Sequence, residues 1–144
     1  MIIVLGLVGV LSLVIQNIEA QYVNKNVLIA SDLAGEGLEL VRNARDLNWL
    51  TPGNDWRQNI IGDYAMDYRG PMSINQAVNS LDDAGARLYV DSNGFYAHEV
   101  TARPTNFYRF ISVEDLGDYL DVKCFIRWKD GAQNHEYKAE TYLL

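Results

Sequence analysis

From Met1 to Ile15 every residue is apolar, Gly or Ser, and no charged residue appears before Glu19. All 12 Lys and Arg and all 19 Asp and Glu lie from Glu19 onward. The chain therefore reads as an apolar stub joined to a soluble body, and the stub needs a burial place. As a helix, residues 1–15 span roughly 22 Å at ~1.5 Å per residue, short of the about 20 residues a lone spanning helix wants. A secretory signal peptide carries positive charge before its apolar run and small residues at its cleavage site. Here no charge precedes the run, and Ile18-Glu19-Ala20 puts Ile where a small residue belongs. A buried core helix alternates faces, whereas this stretch is apolar all round. A segment that sits first in lipid and later in a protein interior accounts for the pattern. A few apolar residues before Met1 would bring it to spanning length.

The helical pattern runs on. Ile29, Leu33, Gly37, Leu40, Ala44 and Leu47 recur at helical spacing, and Ala30, Ala34 and Val41 widen the stripe. Glu36, Glu39, Arg42, Arg45 and Asp46 fall largely outside it, with Glu39–Arg42 and Arg42–Asp46 spaced to pair along the surface. Pro52-Gly53 ends the pattern. One helix from the stub to about Trp49 would measure roughly 70 Å, against about 30 Å for a globule of this size. Much of it must protrude.

Residues 51–86 read as connection, with a short strand near Tyr64–Tyr68 and a capped helical turn from Ser73-x-x-Gln76 to about Leu81. From Arg87 the pattern becomes β. Leu88–Val90 and Phe95–Ala97 flank Asp91-Ser92-Asn93-Gly94, whose Asn-Gly is a hairpin signal. Phe107–Val113 is a further strand. Leu120, Val122, Cys124, Ile126 and Trp128 then alternate with polar and outward positions, and Asp130-Gly131 turns the chain into a last strand, Glu136–Leu143. The expected class is α+β: a long N-terminal helix on a four-stranded antiparallel β-meander. Ile29, Leu33, Leu40, Val41, Ala44 and Leu47 would pack on Val122, Cys124, Ile126 and Trp128. The expected division is an apolar segment at 1–20 and a globular head at 21–144. Within the head the helix runs to about 49, the connection covers 51–86, and the sheet covers 87–144.

Catalytic patterns are missing. His98 and His135 fall on predicted strands with no second ligand in metal-binding spacing, and Cys124 falls on the apolar face as an inert thiol. Asp91-x-Asn93-Gly94 lacks the oxygens and closing Glu of a calcium loop. No phosphate-cradling glycine loop or nucleophile elbow occurs. The expectation is no enzyme, no metal and no cofactor. The net charge of −7 argues against nucleic acid as a partner. Gly35 and Gly37 each cost a helix about 1 kcal/mol relative to Ala. They read either as tolerated defects or as a close approach alongside Ala30 and Ala34.

These features resemble the type IV pilin and pseudopilin family. The stub MIIVLGLVGVL is similar to the apolar start of that family's N-terminal helix. The stretch from Ala30 to Leu50, ASDLAGEGLELVRNARDLNWL, is similar to the A-x-x-L-A-x-E-G-I-E-x-V-R-N-x-R-D-x-N-W-L pattern of prepilin-type proteins, especially those of uncultivated bacterial lineages. Leu88–Tyr96, Phe107–Ile111 and Trp128–Leu144 also look like that group. The resemblance implies a precursor held in the cytoplasmic membrane, clipped by a prepilin peptidase and polymerised by pilus assembly machinery into an extracellular filament. The partner is then the chain itself, as a helical homopolymer. Met1, Ile2, Ile3, Val4, Leu5, Leu7, Val8, Val10, Leu11, Leu13, Val14 and Ile15 would pack in the filament core. Gly6, Gly9 and Ser12 would mark where the helix opens on assembly. A minor pilin or type II secretion pseudopilin is the near alternative to a major pilin. A monomeric membrane-tethered binding module, using its aromatic sheet, is the alternative of another class. Two departures stand out: the family's processing site with its nearby glutamate has no counterpart here, and Ser12–Ala20 lacks the family's frequent proline.

Overall fold

The computed structural model describes residues 2–69, 76–100 and 102–144, with side chains within 7–69, 78–100 and 102–144. One helix, α1 (Ile2–Leu50), runs unbroken for 49 residues, about 73 Å at ~1.5 Å per residue. Its last turn is closed locally. Thr51 Oγ1 donates to the Leu47 carbonyl at 2.8 Å, and Asn48 Nδ2 donates to the Trp56 and Gln58 carbonyls at 3.2 and 2.7 Å. Pro52-Gly53 follows, with Gly53 at φ 89°, a left-handed conformation that glycine adopts without a Cβ penalty.

Among the described residues the sheet has seven strands: β1 (Gly62–Ala65), β2 (Gln76–Ala77), β3 (Arg87–Val90), β4 (Tyr96–Ala97), β5 (Arg103–Asp115), β6 (Leu120–Asp130) and β7 (Gln133–Leu143). All pairings are antiparallel. The long strands β5, β6 and β7 form the meander that the alternation predicted, with Phe107 opposite Trp128, Ile111 opposite Cys124, and Cys124 opposite Ala139. β6 takes one edge of β5. The other edge is shared, β3 pairing with its first half and β1 with its second.

The α+β class is as expected, but the four-strand count is too low and the meander is not continuous. β4 lies outside β3, so β5 pairs back with β3 rather than with its neighbour in sequence. The connecting region also enters the sheet. β1 extends one edge of β5, and β2 pairs with β1 through Tyr64–Ala77 and Ala65–Gln76. These two strands are short and lie next to one another, too brief to show a clear alternation in sequence. The expected turn of helix from Ser73 to Leu81 is not seen: Gln76–Ala77 is strand and 78–81 is irregular. Ser73 itself lies outside the described residues. Past it, a 3-10 turn forms at Ala84–Ala86. His98 sits just past β4, not on it.

The core lies between α1 and one face of the sheet. Ala30, Leu33, Ala34, Val41 and Ala44 meet Phe107, Ile111, Val113, Val122, Cys124, Ile126 and Trp128, with Ile29 and Leu40 packed at the margin. Leu47 is a correction. It is 49% exposed and outside the core, because the last turn of α1 is held by Asn48 to the 56–58 loop, and Ile60 of that loop fills the core position instead. Asp46 pairs with Arg45 rather than Arg42; Arg42 pairs with Glu39 as expected. On the opposite face, Ala65, Val78 and Ala86 cover Tyr108 and Phe110.

The two helix glycines differ in kind. A Cβ at Gly37 would stand 2.6 Å from Cys124 Sγ and 3.4 Å from Arg109 Cδ, whereas one at Gly35 would meet open space. Gly35→Ala should therefore stabilise the fold by up to about 1 kcal/mol through helix propensity. Gly37→Ala should destabilise it by roughly 1–3 kcal/mol through overpacking. In a Cys124→Ala background the Gly37→Ala penalty should shrink or reverse, since the clashing sulfur is gone. Denaturant unfolding of the four variants checks both signs.

Candidate functional site

Two features stand apart from ordinary core packing: the uncovered half of α1 and the polar joint at which the covered half is fixed. From Leu7 to Leu28 nearly every side chain of α1 is exposed, and burial begins only at Ile29–Ala30. Leu7, Val8, Val10, Leu11, Leu13, Val14, Ile15 and Ile18 are between 49% and 67% exposed. Burying a side chain of this type is worth about 1.5–3 kcal/mol. At these exposures the eight together leave on the order of 10 kcal/mol unrealised, comparable to the whole folding stability of a domain. Exposed apolar surface on this scale marks a contact surface. Of the other residues expected in a filament core, Ile2, Ile3, Val4 and Leu5 lie in α1 with their side chains outside the described set, and Met1 lies outside it altogether. α1 is continuous through Gly6, Gly9 and Ser12, and a Cβ at Gly9 would meet nothing within 4 Å. Among the described residues no helix is long and apolar enough to cross a membrane.

The joint centres on Arg109. Strand alternation puts Phe107, Arg109, Ile111 and Val113 on the helix-facing side of β5, so the guanidinium enters the core fully buried. Nη1 donates to the Leu33 carbonyl at 3.3 Å and pairs with Glu36 Oε1 at 3.2 Å, while Nη2 donates to the Met66 carbonyl at 2.7 Å. Sequence reasoning missed this residue. The alternation Phe107-x-Arg109-x-Ile111-x-Val113 was the available signal, and Glu36 was read as a surface charge.

Next to the joint lies a second polar cluster. Buried Asp67 takes an ion pair from Arg69 at 2.6 Å and the His98 backbone N–H at 3.0 Å. Burial alone would raise its carboxyl, but these donors outweigh it and hold the carboxyl down at about 2. His98 Nδ1 lies 3.1 Å from the Arg87 carbonyl, which can only accept, so Nδ1 carries the proton of the neutral ring. Among the described residues, buried Nε2 has no hydrogen-bond partner. Desolvation, reinforced by the charge of Arg109, pushes the imidazole down to about 4. Burial pushes the Cys124 thiol up to about 12, leaving it protonated and a poor nucleophile at neutral pH. These groups fix backbone and helix; no nucleophile–base pair forms among them. Among the described residues no three His, Cys, Asp or Glu side chains group as a metal site.

The imidazole sets a pH dependence. Its folded value lies below its ordinary 6.5, so the unfolded chain binds more protons between about 6.5 and 4. Stability should be fully present above 6.5 and fall by up to roughly 3 kcal/mol as pH drops through that window. Asp67 contributes only at lower pH, below its ordinary 3.8. His98→Gln should therefore flatten the curve between pH 6.5 and 4.5 while leaving the acid limb in place, as read by denaturant melts across pH.

No family model, no curated protein and no solved structure matches the chain.

Proposed function

We propose that this chain is a structural subunit of an extracellular type IV pilus-like filament, assembled through the exposed half of α1. One observation carries the reading: eight large apolar side chains on a protruding, continuous helix with no cover from the chain's own sheet. The stretch from Ala30 to Leu50, which resembles the pilin helix, supports it from the sequence. In this reading the apolar half passes from the cytoplasmic membrane, after clipping by a prepilin peptidase, into a core of like helices. Its hydrophobic surface then stays out of water at every stage. The head coats the filament, and its net charge of −7 keeps the outer surface solvated. The subunit acts by assembly, not by catalysis.

Electron microscopy of native material is the direct test. Abundant uniform fibres containing this chain are the expected result; a dispersed membrane-bound monomer would favour the tethered binding module instead. Removing residues 1–20 should give a folded, soluble monomer, since the buried part of α1 starts only at Ile29–Ala30. A truncated chain that still forms fibres would place the assembly surface elsewhere.

The glycines indicate where α1 would open if it opens on assembly. Breaking it at Gly35–Gly37 costs the Arg109 contact to the Leu33 carbonyl and the packing on Cys124. Breaking it between about Gly6 and Asn17 costs only helical hydrogen bonds, which neighbouring helices can replace. A backbone-resolving filament map should show any extended stretch in the stub; a break at Gly35–Gly37 with an intact stub would refute the packing argument.

A further inference from the structure

The face of the sheet away from α1 carries a polar cavity of about 330 Å³, within the size range of small-molecule sites. Its floor is Tyr108 of β5, in register with Arg127 of β6 on one side and Arg87 of β3 on the other. Asp82 borders it from the preceding loop, and Asn106, Asn134 and Lys129 line it at the end of the strands.

The charge here runs against the chain's own. Eight of the 12 Lys and Arg take part in ion pairs. The four with no ion pair among the described residues are Lys25, Arg87, Arg103 and Lys129, and two of these line this one cavity. Glu136 stands opposite Arg127 in the strand register without pairing to it. The cations are also held in place. Arg127 is tied to Asp82 at 2.6 Å and to the Leu81 carbonyl, and it lies 5.3 Å over the Tyr108 ring. Arg87 is fixed through Nε to the Thr105 carbonyl at 3.1 Å and lies 5.8 Å over the Tyr89 ring, and its two terminal nitrogens make no hydrogen bond among the described residues.

We propose that this cavity binds a carboxylated saccharide unit. Arg87 and Lys129 hold the carboxylate, Arg87 offering the planar fork that suits it. The Asn106 and Asn134 amides and the Asp82 carboxylate take the hydroxyls, since together they supply the donors and acceptors that a sugar ring presents. A bare inorganic anion would use the cations but leave both amides idle and face Asp82. Two uncommitted cations are too few to track a nucleic-acid backbone. The assignment does not depend on the filament reading, because the cavity is formed by the sheet and its flanking loop alone.

The test uses the full chain dispersed in a polyoxyethylene detergent, which carries no sugar. Glucuronate, glucose and inorganic sulfate are titrated separately while the side-chain amide resonances of Asn106 and Asn134 are followed. Glucuronate should shift both with an affinity near the millimolar range, as suits a single sugar ring. Glucose and sulfate should be roughly tenfold weaker or worse, and Lys129→Gln should weaken glucuronate roughly tenfold. The Lys129 side chain is exposed and makes no hydrogen bond or ion pair among the described residues, so this variant keeps the fold, as unchanged amide resonances of the free protein will show. Arg87→Gln provides a second, independent loss. Sulfate as strong as glucuronate would reduce the site to an anion patch, and glucose as strong would remove the carboxylate from recognition. Absence of any shift, or a Lys129→Gln variant that binds normally, would overturn the site itself.

Discussion

One guanidinium fixes how the helix meets the sheet. Arg109 starts on β5, reaches between the layers and bonds the Leu33 carbonyl, the Glu36 carboxylate and the Met66 carbonyl. It thereby ties helix, central strand and the chain after β1 to one point. A buried charge is tolerated only where paired and hydrogen-bonded, so its partners cannot drift. The joint also requires the helix backbone to come close, and Gly37 allows that: the space a Cβ would need is already held by Cys124 and the Arg109 chain. Apolar packing alone would let α1 slide or rotate over the smooth face of Val122, Cys124 and Ile126. The directional bonds at Arg109 set both its rotation and its axial position.

Once that position is fixed, the rest of α1 has nowhere to fold back. Burial against the sheet runs from about Ala30 to Ala44, roughly 22 Å of a helix more than three times as long. On the sheet's helix-facing side Ser31 is bonded to Tyr137, and His135 stacks on Trp128 at its far edge. The N-terminal half therefore projects without cover. The absence of charge from its residues before Glu19 is a consistent solution only if other molecules bury them. The helix that completes the head's core and the helix that carries the proposed assembly surface are one continuous rod, so the head is referred directly to its own stub.

Long periodic elements were legible in the sequence and short ones were not. The helix stripe from Ile29 to Ala44 and the Leu120–Trp128 alternation each repeat a signal many times, and both appear where expected. β4 and β2 have two residues each and carry no period at all. Leu47 fitted the helical stripe, yet a stripe does not reveal where the partner sheet stops; Asn48 and the 56–60 loop decide that. Arg109 and Glu36 were missed for a different reason. Charge in a sequence reads as surface by default, and only the three-dimensional meeting of a strand position with a helix carbonyl makes burial affordable. Gly37 lay between these cases. Its closeness to a neighbour was one of two readings, and Cys124, rather than a backbone, proved to be that neighbour.

The two proposed surfaces do not compete for space. The apolar half of α1 leaves the head from the helix-facing layer, whereas Arg87, Arg127 and Lys129 lie on the opposite face of the sheet. Along β7 the same division holds residue by residue: His135, Tyr137 and Leu143 point toward α1, and Asn134, Glu136, Lys138 and Glu140 point away. A core of packed helices would draw on the first set and leave the second in water. Every copy would then present its cavity outward, and a site of millimolar strength per copy would act many times over along a polymer. Weak recognition multiplied by repetition is what an array of tethered sites provides, because each later contact forms at the high effective concentration set by the first. The proposed assembly by the helix and the proposed recognition by the sheet would thus reinforce one another without sharing a residue.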